Sequence, residues 1–128
     1  MKIEPSYYYT TDHEWLFIDV GVATIGVTFF AQDRLGDIVY VDIPKKSGNI
    51  QKGEPIASVE SVKAVADVYA PIEGKIVETN ESLGENPQWI NDDPYHKGWI
   101  VKLKPTKEKE IGELMDSNAY KEYIKGLS

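Results

Sequence analysis

The sequence predicts a mainly β protein built as a pseudo-symmetric sandwich with short flanking helices, one of them C-terminal. Three observations point there. Runs rich in β-branched and aromatic residues recur between Gly and Pro punctuation. The tetrad Gly36-Asp37-Ile38-Val39 returns in spirit as Gly74-Lys75-Ile76-Val77, with one copy on each side of a central run. In that run Val62, Ala64, Ala66, Val68 and Ala70 alternate with Lys63, Val65, Asp67 and Tyr69, the two-residue period of a strand.

The elements follow in chain order. Trp15 to Asp19 and Val22 to Val27 read as strands joined by a tight turn at Val20-Gly21. Thr28 to Gly36 reads as a short helix, with a hydroxyl able to cap its start and a glycine to end it. Asp37 to Ile43 reads as a strand stopped by Pro44, with Ile38, Tyr40 and Asp42 on one face and Val39, Val41 and Ile43 on the other. Gly48 and Gly53 mark a turn-rich stretch before the run from Pro55 to Ser61. No Gly or Asn marks a turn at Lys63, so its surroundings read equally as a long strand, a short helix or the apex of a hairpin.

Pro87 to Pro94 reads as a loop with one helical turn at Gln88-Trp89-Ile90, and Gly98 to Leu103 as the last strand, centred on Ile100 and Val101. Beyond Thr106 the chain turns helical. Ile111, Leu114 and Met115 fall on one core-facing stripe. After a fresh cap at Asp116-Ser117-Asn118, Tyr120, Tyr123, Ile124 and Leu127 form a second.

A chain of 128 residues is expected to be a single domain, residues 1–128, with one core. Its 14 cations against 21 anions, net −7, argue against nucleic-acid binding, which needs clustered positive charge. The acidic balance suits docking on basic rims of other proteins and equally suits plain solubility. The absence of cysteine removes disulfides, thiolate metal sites and a thiol nucleophile. Met1 to Pro5 lacks the apolar core of a signal peptide, and Val20 to Ala31 is too short to span a bilayer. The expectation is a cytoplasmic protein with no membrane partner, or a matrix protein if the chain is a mature eukaryotic form.

Candidate chemistry narrows to one lysine. His13-Glu14 lacks the second histidine of a metalloprotease helix, since Phe17 stands where it would fall, and His96 is distant. Asp92-Asp93 reads as a solvated turn before Pro94, and no phosphate loop or nucleophile elbow occurs. Lys63, alone among apolar neighbours, offers an amine to which another enzyme could attach an acyl group. An unassisted ammonium titrating near 10.4 is a poor nucleophile at neutral pH.

The chain resembles the H-protein family of the glycine cleavage system. The resemblance is carried by His13-Glu14-Trp15, Ala23-Thr24-Ile25-Gly26-Val27-Thr28, Leu35-Gly36-Asp37-Ile38-Val39-Tyr40-Val41 and Glu60-Ser61-Val62-Lys63-Ala64. Asp67-Val68-Tyr69-Ala70-Pro71, Asn91, Asp93-Pro94-Tyr95 and Gly98-Trp99 complete it. It implies a lipoyl-domain-like barrel-sandwich hybrid and a non-catalytic carrier with lipoate attached to Lys63. The lipoyl arm of such a carrier takes an aminomethyl group and electrons from glycine decarboxylase. It delivers the carbon to an aminomethyltransferase and is reoxidised by dihydrolipoyl dehydrogenase.

The resemblance also implies that Glu14 and Asp67 help hold the loaded arm and that Glu60 helps the lipoate-attaching enzyme recognise its target. An alternative function within the same resemblance is a lipoyl or octanoyl relay to other lipoyl domains. Val62 and Ala64 argue for lipoate over biotin, whose carriers flank the lysine with methionines. Phe29, Arg34 and Ser47, with the turn glycine one place late at Gly48, depart from the family pattern and bear on the arm-holding cleft and the contacts of the attaching enzyme.

Overall fold

A computed structural model describes residues 2–127. Two antiparallel sheets face each other across an apolar core. The larger is ordered β1 (Tyr8–Tyr9), β2 (Glu14–Asp19), β3 (Val22–Val27), β9 (Val101–Pro105), β8 (Gly74–Thr79) and β5 (Gly48–Ile50). The smaller is β4 (Ile38–Asp42), β6 (Pro55–Ser61) and β7 (Val65–Tyr69). Leu16, Ile25, Ile50, Ile56, Val59, Ile72, Ile100 and Leu103 fill the space between them. This is the expected mainly β sandwich with helices at its edges.

The opening hairpin forms as expected. Val20 and Gly21 both take positive φ, 49° and 75°, which a two-residue connection needs to match the twist of its strands. Helix α1 (Phe29–Leu35) is capped by Thr28, whose hydroxyl accepts from the Ala31 amide, and ends at Gly36 with φ 82°.

The repeated tetrad has a structural counterpart. Ile38 opens β4 in one sheet and Ile76 lies in β8 of the other, and both are buried. A register shift follows each, between Ile38 and Tyr40 and between Ile76 and Glu78, leaving Val39 and Val77 half-exposed in matching places. That bulge overturns the simple alternation expected from Asp37 to Ile43. Because one extra residue changes the phase, Ile38, Val41 and Ile43 point inward while Val39, Tyr40 and Asp42 face solvent.

Other differences lie where long-range pairing decides. Tyr8–Tyr9 and Gly48–Ile50 become strands because β2 and β8 offer them partners. The last strand begins at Val101 instead of Gly98. Gly98 is used to close a turn, its amide on the Asp93 carbonyl at 2.9 Å, where a β-carbon would lie 2.9 Å from the Trp89 carbonyl oxygen. The one expected helical turn there is α2 (Trp89–Asp92).

The first C-terminal stripe is not one helix. A 3-10 helix covers Glu108–Glu113, and Met115 leaves it to exchange two backbone hydrogen bonds with Tyr9, at 2.8 and 3.0 Å. Helix α3 (Ser117–Lys125) then starts from Asp116, whose carboxylate accepts from the Ala119 amide at 2.8 Å. Tyr120 and Ile124 of the second stripe are buried, whereas Leu127 remains exposed. They join Tyr9, Trp15, Phe30 and Tyr95 in an aromatic cluster beside the main core.

Candidate functional site

Lys63 lies at the tip of the β6–β7 hairpin, and Ser61 makes the turn. The Ser61 hydroxyl oxygen accepts from the amides of Lys63 (3.3 Å) and Ala64 (3.0 Å), while the Ser61 amide donates to the Ala64 carbonyl at 2.8 Å. A buried serine side chain thus supplies the turn that glycine or asparagine usually marks. The Val62 amide donates to the Asp37 carbonyl at 3.2 Å, tying the tip to the segment before β4.

Val62, Lys63, Ala64 and Val65 are all exposed, so the small-residue face is interior only from Ala66 onward. Val62 and Ala64 therefore do not pack as the alternation suggests, because the chain reverses there and no facing sheet covers them. The Lys63 side chain passes over Gly36, where a β-carbon would sit 3.6 Å from Cε. Its amine is accessible to a second protein.

A groove of about 490 Å³ opens beside the far end of β7, lined among others by Tyr9, Thr10, Asp12, Glu14, Tyr69 and Met115. Lys52 and Glu113 also line it and pair at 3.4 Å. Glu14 is its buried charge, only 2% exposed. One carboxylate oxygen accepts from the Thr10 hydroxyl at 2.6 Å and the other from the Tyr69 amide at 3.0 Å. Burial pushes the Glu14 carboxyl up to about 6, against the lowering effect of those two hydrogen bonds, and the negative charge of Asp12 pushes the same way as burial.

The Thr10–Glu14 turn that carries Glu14 is braced from behind. His13 adopts a left-handed φ of 69°, and its Nδ1 lies 2.9 Å from the Tyr120 hydroxyl, which in turn lies 2.7 Å from the Thr28 hydroxyl. Burial lowers the His13 pKa, outweighing the raising effect of Asp12, and Arg34 lowers it further. The histidine that hinted at a metalloprotease is thus engaged with α3, and His96 pairs with Asp93 at 3.0 Å on the surface.

The carboxylates singled out in the sequence are not brought together. Glu60 is exposed on β6 opposite Val65, and Asp67 is exposed on β7 in register with Ser58 and through it with Asp42. Neither lines the groove that holds Glu14. Phe29 and Arg34 belong to the α1 side, where the Arg34 guanidinium stacks 4.5 Å over Phe30 and donates to the Leu127 carbonyl. Ser47 precedes β5. Thr10, Asp12 and Tyr69 were missed by sequence reasoning, since a small polar turn and one strand tyrosine carry no local signal of a groove.

Comparison with known proteins decides the family. A family model described as Glycine cleavage H-protein matches residues 7–127. The chain belongs to this family. It is similar to the glycine cleavage system H protein of Thermotoga maritima, 52% identical over 115 residues, covering 90% of this chain and 93% of that one. The probable glycine cleavage system H protein of Thermococcus kodakarensis is 46% identical over 128 residues, covering 98% of this chain and 95% of the relative. A crystal structure of a glycine cleavage system H protein from Mycobacterium marinum superposes with a TM-score of 0.83 at 37% identity, covering 94% of this chain and 95% of that one. Members of the glycine cleavage H-protein family are non-catalytic carriers, and a carrier of the glycine cleavage system is what membership makes this chain.

Proposed function

We propose that residues 1–128 act as one lipoyl-carrier domain, with lipoate joined by an amide to Lys63. The observation that carries this reading is the hairpin tip: an exposed lysine on a rigid turn, inside Glu60-Ser61-Val62-Lys63-Ala64, in a chain of the H-protein family. The site fits the group, because the amine is reachable and nothing covers the tip among the described residues. When attached, lipoate supplies a dithiolane able to accept an aminomethyl group and electrons.

The chain's own residues then do three things. Ser61 and the Asp37 carbonyl hold the tip so that the attachment point is presented in one place. Amide formation removes the Lys63 charge, which would be unfavourable to carry into an apolar channel of a partner. Tethering raises the local concentration of the arm at each partner. Glu14, ionised above about pH 6 and lodged in the groove, offers a carboxylate to a cationic amine on the arm. Asp67, exposed on β7 between tip and groove, adds negative charge along the way, and Glu60 on the neighbouring strand is a contact for the lipoate-attaching enzyme.

In this reading the carrier serves glycine decarboxylase, an aminomethyltransferase and dihydrolipoyl dehydrogenase in turn, in the cytoplasm. The test is peptide mass mapping after incubation with a lipoate-attaching enzyme, lipoate and ATP. One lipoyl addition is expected, on Lys63, and none in a folded Lys63→Arg variant, whose reconstituted glycine cleavage falls to background. Modification mainly at another lysine, or an active Lys63→Arg protein, overturns the assignment.

A further inference from the structure

The lysine tip rests on a turn held by a residue distant in sequence. Outside the pairing of its own strands, the tip is anchored by the Val62 amide on the Asp37 carbonyl. Asp37 is the middle residue of the turn Gly36-Asp37-Ile38 between α1 and β4. The backbone groups on either side of it are taken by one side chain, Asn91 of α2. Asn91 Oδ1 accepts from the Ile38 amide at 2.8 Å, and Nδ2 donates to the Gly36 carbonyl at 2.9 Å and to Gln32 Oε1 at 3.0 Å.

The turn needs such a clamp. Gly36 sits at φ 82° and ψ −161°, a conformation open to glycine and therefore one of many an unclamped glycine would visit. Its amide is held by the Gln32 carbonyl at 2.9 Å and its carbonyl by Asn91, so both sides of its peptide geometry are fixed. Gln32, itself buried, completes the ring. The Lys63 side chain lies directly over this glycine.

We propose that Asn91 is a positioning residue for modification of Lys63, presenting the lysine through the Gly36–Ile38 turn and the Val62 amide. The proposal rests on the reading of Lys63 as the attachment point. In the step it assists, Lys63 Nζ attacks the acyl carbonyl of a lipoyl adenylate, forming the amide and releasing AMP and a proton. Asn91 touches none of the reacting atoms. Its effect is on the fraction of molecules whose tip is already in the geometry the modifying enzyme reads, so its loss raises the apparent KM for the carrier and leaves kcat alone.

The experiment uses the full chain with a purified lipoate-protein ligase, lipoate and ATP, following intact mass. Asn91→Ala removes all three hydrogen bonds. Asn91→Asp keeps the acceptor for Ile38 and turns a negative oxygen toward the Gly36 carbonyl and Gln32 Oε1. Asp116→Ala, which uncaps α3 far from the tip, serves as the control for a general loss of stability. If the clamped tip falls to about a tenth of the population, KM rises about tenfold in both Asn91 variants. kcat stays within a factor of about two, and Asp116→Ala leaves KM unchanged.

Amide hydrogen exchange is the second readout. The Val62 amide is protected in the wild type, loses protection in the Asn91 variants and keeps it in Asp116→Ala. Equal KM values across all proteins, an equal rise in Asp116→Ala, or a wild-type Val62 amide that exchanges like an open peptide each overturns the proposal. The last needs no variant to fold. Failure of the wild type to accept lipoate at Lys63 instead overturns the attachment reading beneath it.

Discussion

Replacing Glu14 by glutamine should change how stability depends on pH. The carboxyl is almost fully buried, and its pKa stands at about 6 in the folded chain against 4.5 for an ordinary glutamate. Between those values the folded protein binds more protons than the unfolded one. Stability contributed by this raised pKa is therefore complete below about pH 4.5, falls as pH rises, and is lost once pH passes about 6. A rise from 4.5 to about 6 corresponds to about 2 kcal/mol.

Glutamine stays neutral throughout and can still accept from the Tyr69 amide with its oxygen, while its amide group donates to the Thr10 hydroxyl. The stability difference between Glu14→Gln and wild type should accordingly move by about 2 kcal/mol in favour of the variant from pH 4.5 to pH 7. Urea unfolding of both proteins at five pH values across this range, with equal m-values, measures it. Parallel stability curves, or a difference that moves the other way, refute the assignment of a raised Glu14 pKa. Carbon NMR of the Glu14 carboxyl gives the midpoint directly and should place it near 6.

Gly26→Ala should destabilise by about 1–3 kcal/mol, since a β-carbon would lie 2.7 Å from the Trp15 ring, which Nε1 pins to the Pro94 carbonyl at 3.0 Å; an unchanged urea midpoint contradicts that. Tyr120→Phe keeps the 4.5 Å stack on Tyr9 but removes the hydroxyl between His13 and Thr28, for an expected loss of about 1–3 kcal/mol. A thermal unfolding midpoint equal to wild type would show that bridge to be idle. Asp116→Ala should lower stability by about 0.5–2 kcal/mol through loss of the cap on Ala119, with the amide exchange of α3 rising first.

Much of the frame was readable from local signals. The Val20-Gly21 hairpin, the Thr28 and Asp116 caps, and the strand from Pro55 to Ser61 each depend on residues within a few places of one another, so short-range pattern carries them. Lys63 stood out for the same reason, as a lone cation in an apolar run within a recognisable motif. The phase of β4 did not, because alternation cannot reveal that Val39 is squeezed out by the register of β6.

Local pattern in the chain carried the mainly β class and the order of most elements, and it singled out Lys63 as the candidate amine. Folding alone brings distant residues to that amine, a bond from the Val62 amide to the Asp37 carbonyl and an Asn91 clamp on the turn beside it, and it buries Glu14 beside the opposite end of β7. Hydrogen bonds between residues such as Glu14 and Tyr69, 55 places apart, and the loss of water around a carboxylate exist only once the chain has closed on itself. Local propensity contains neither.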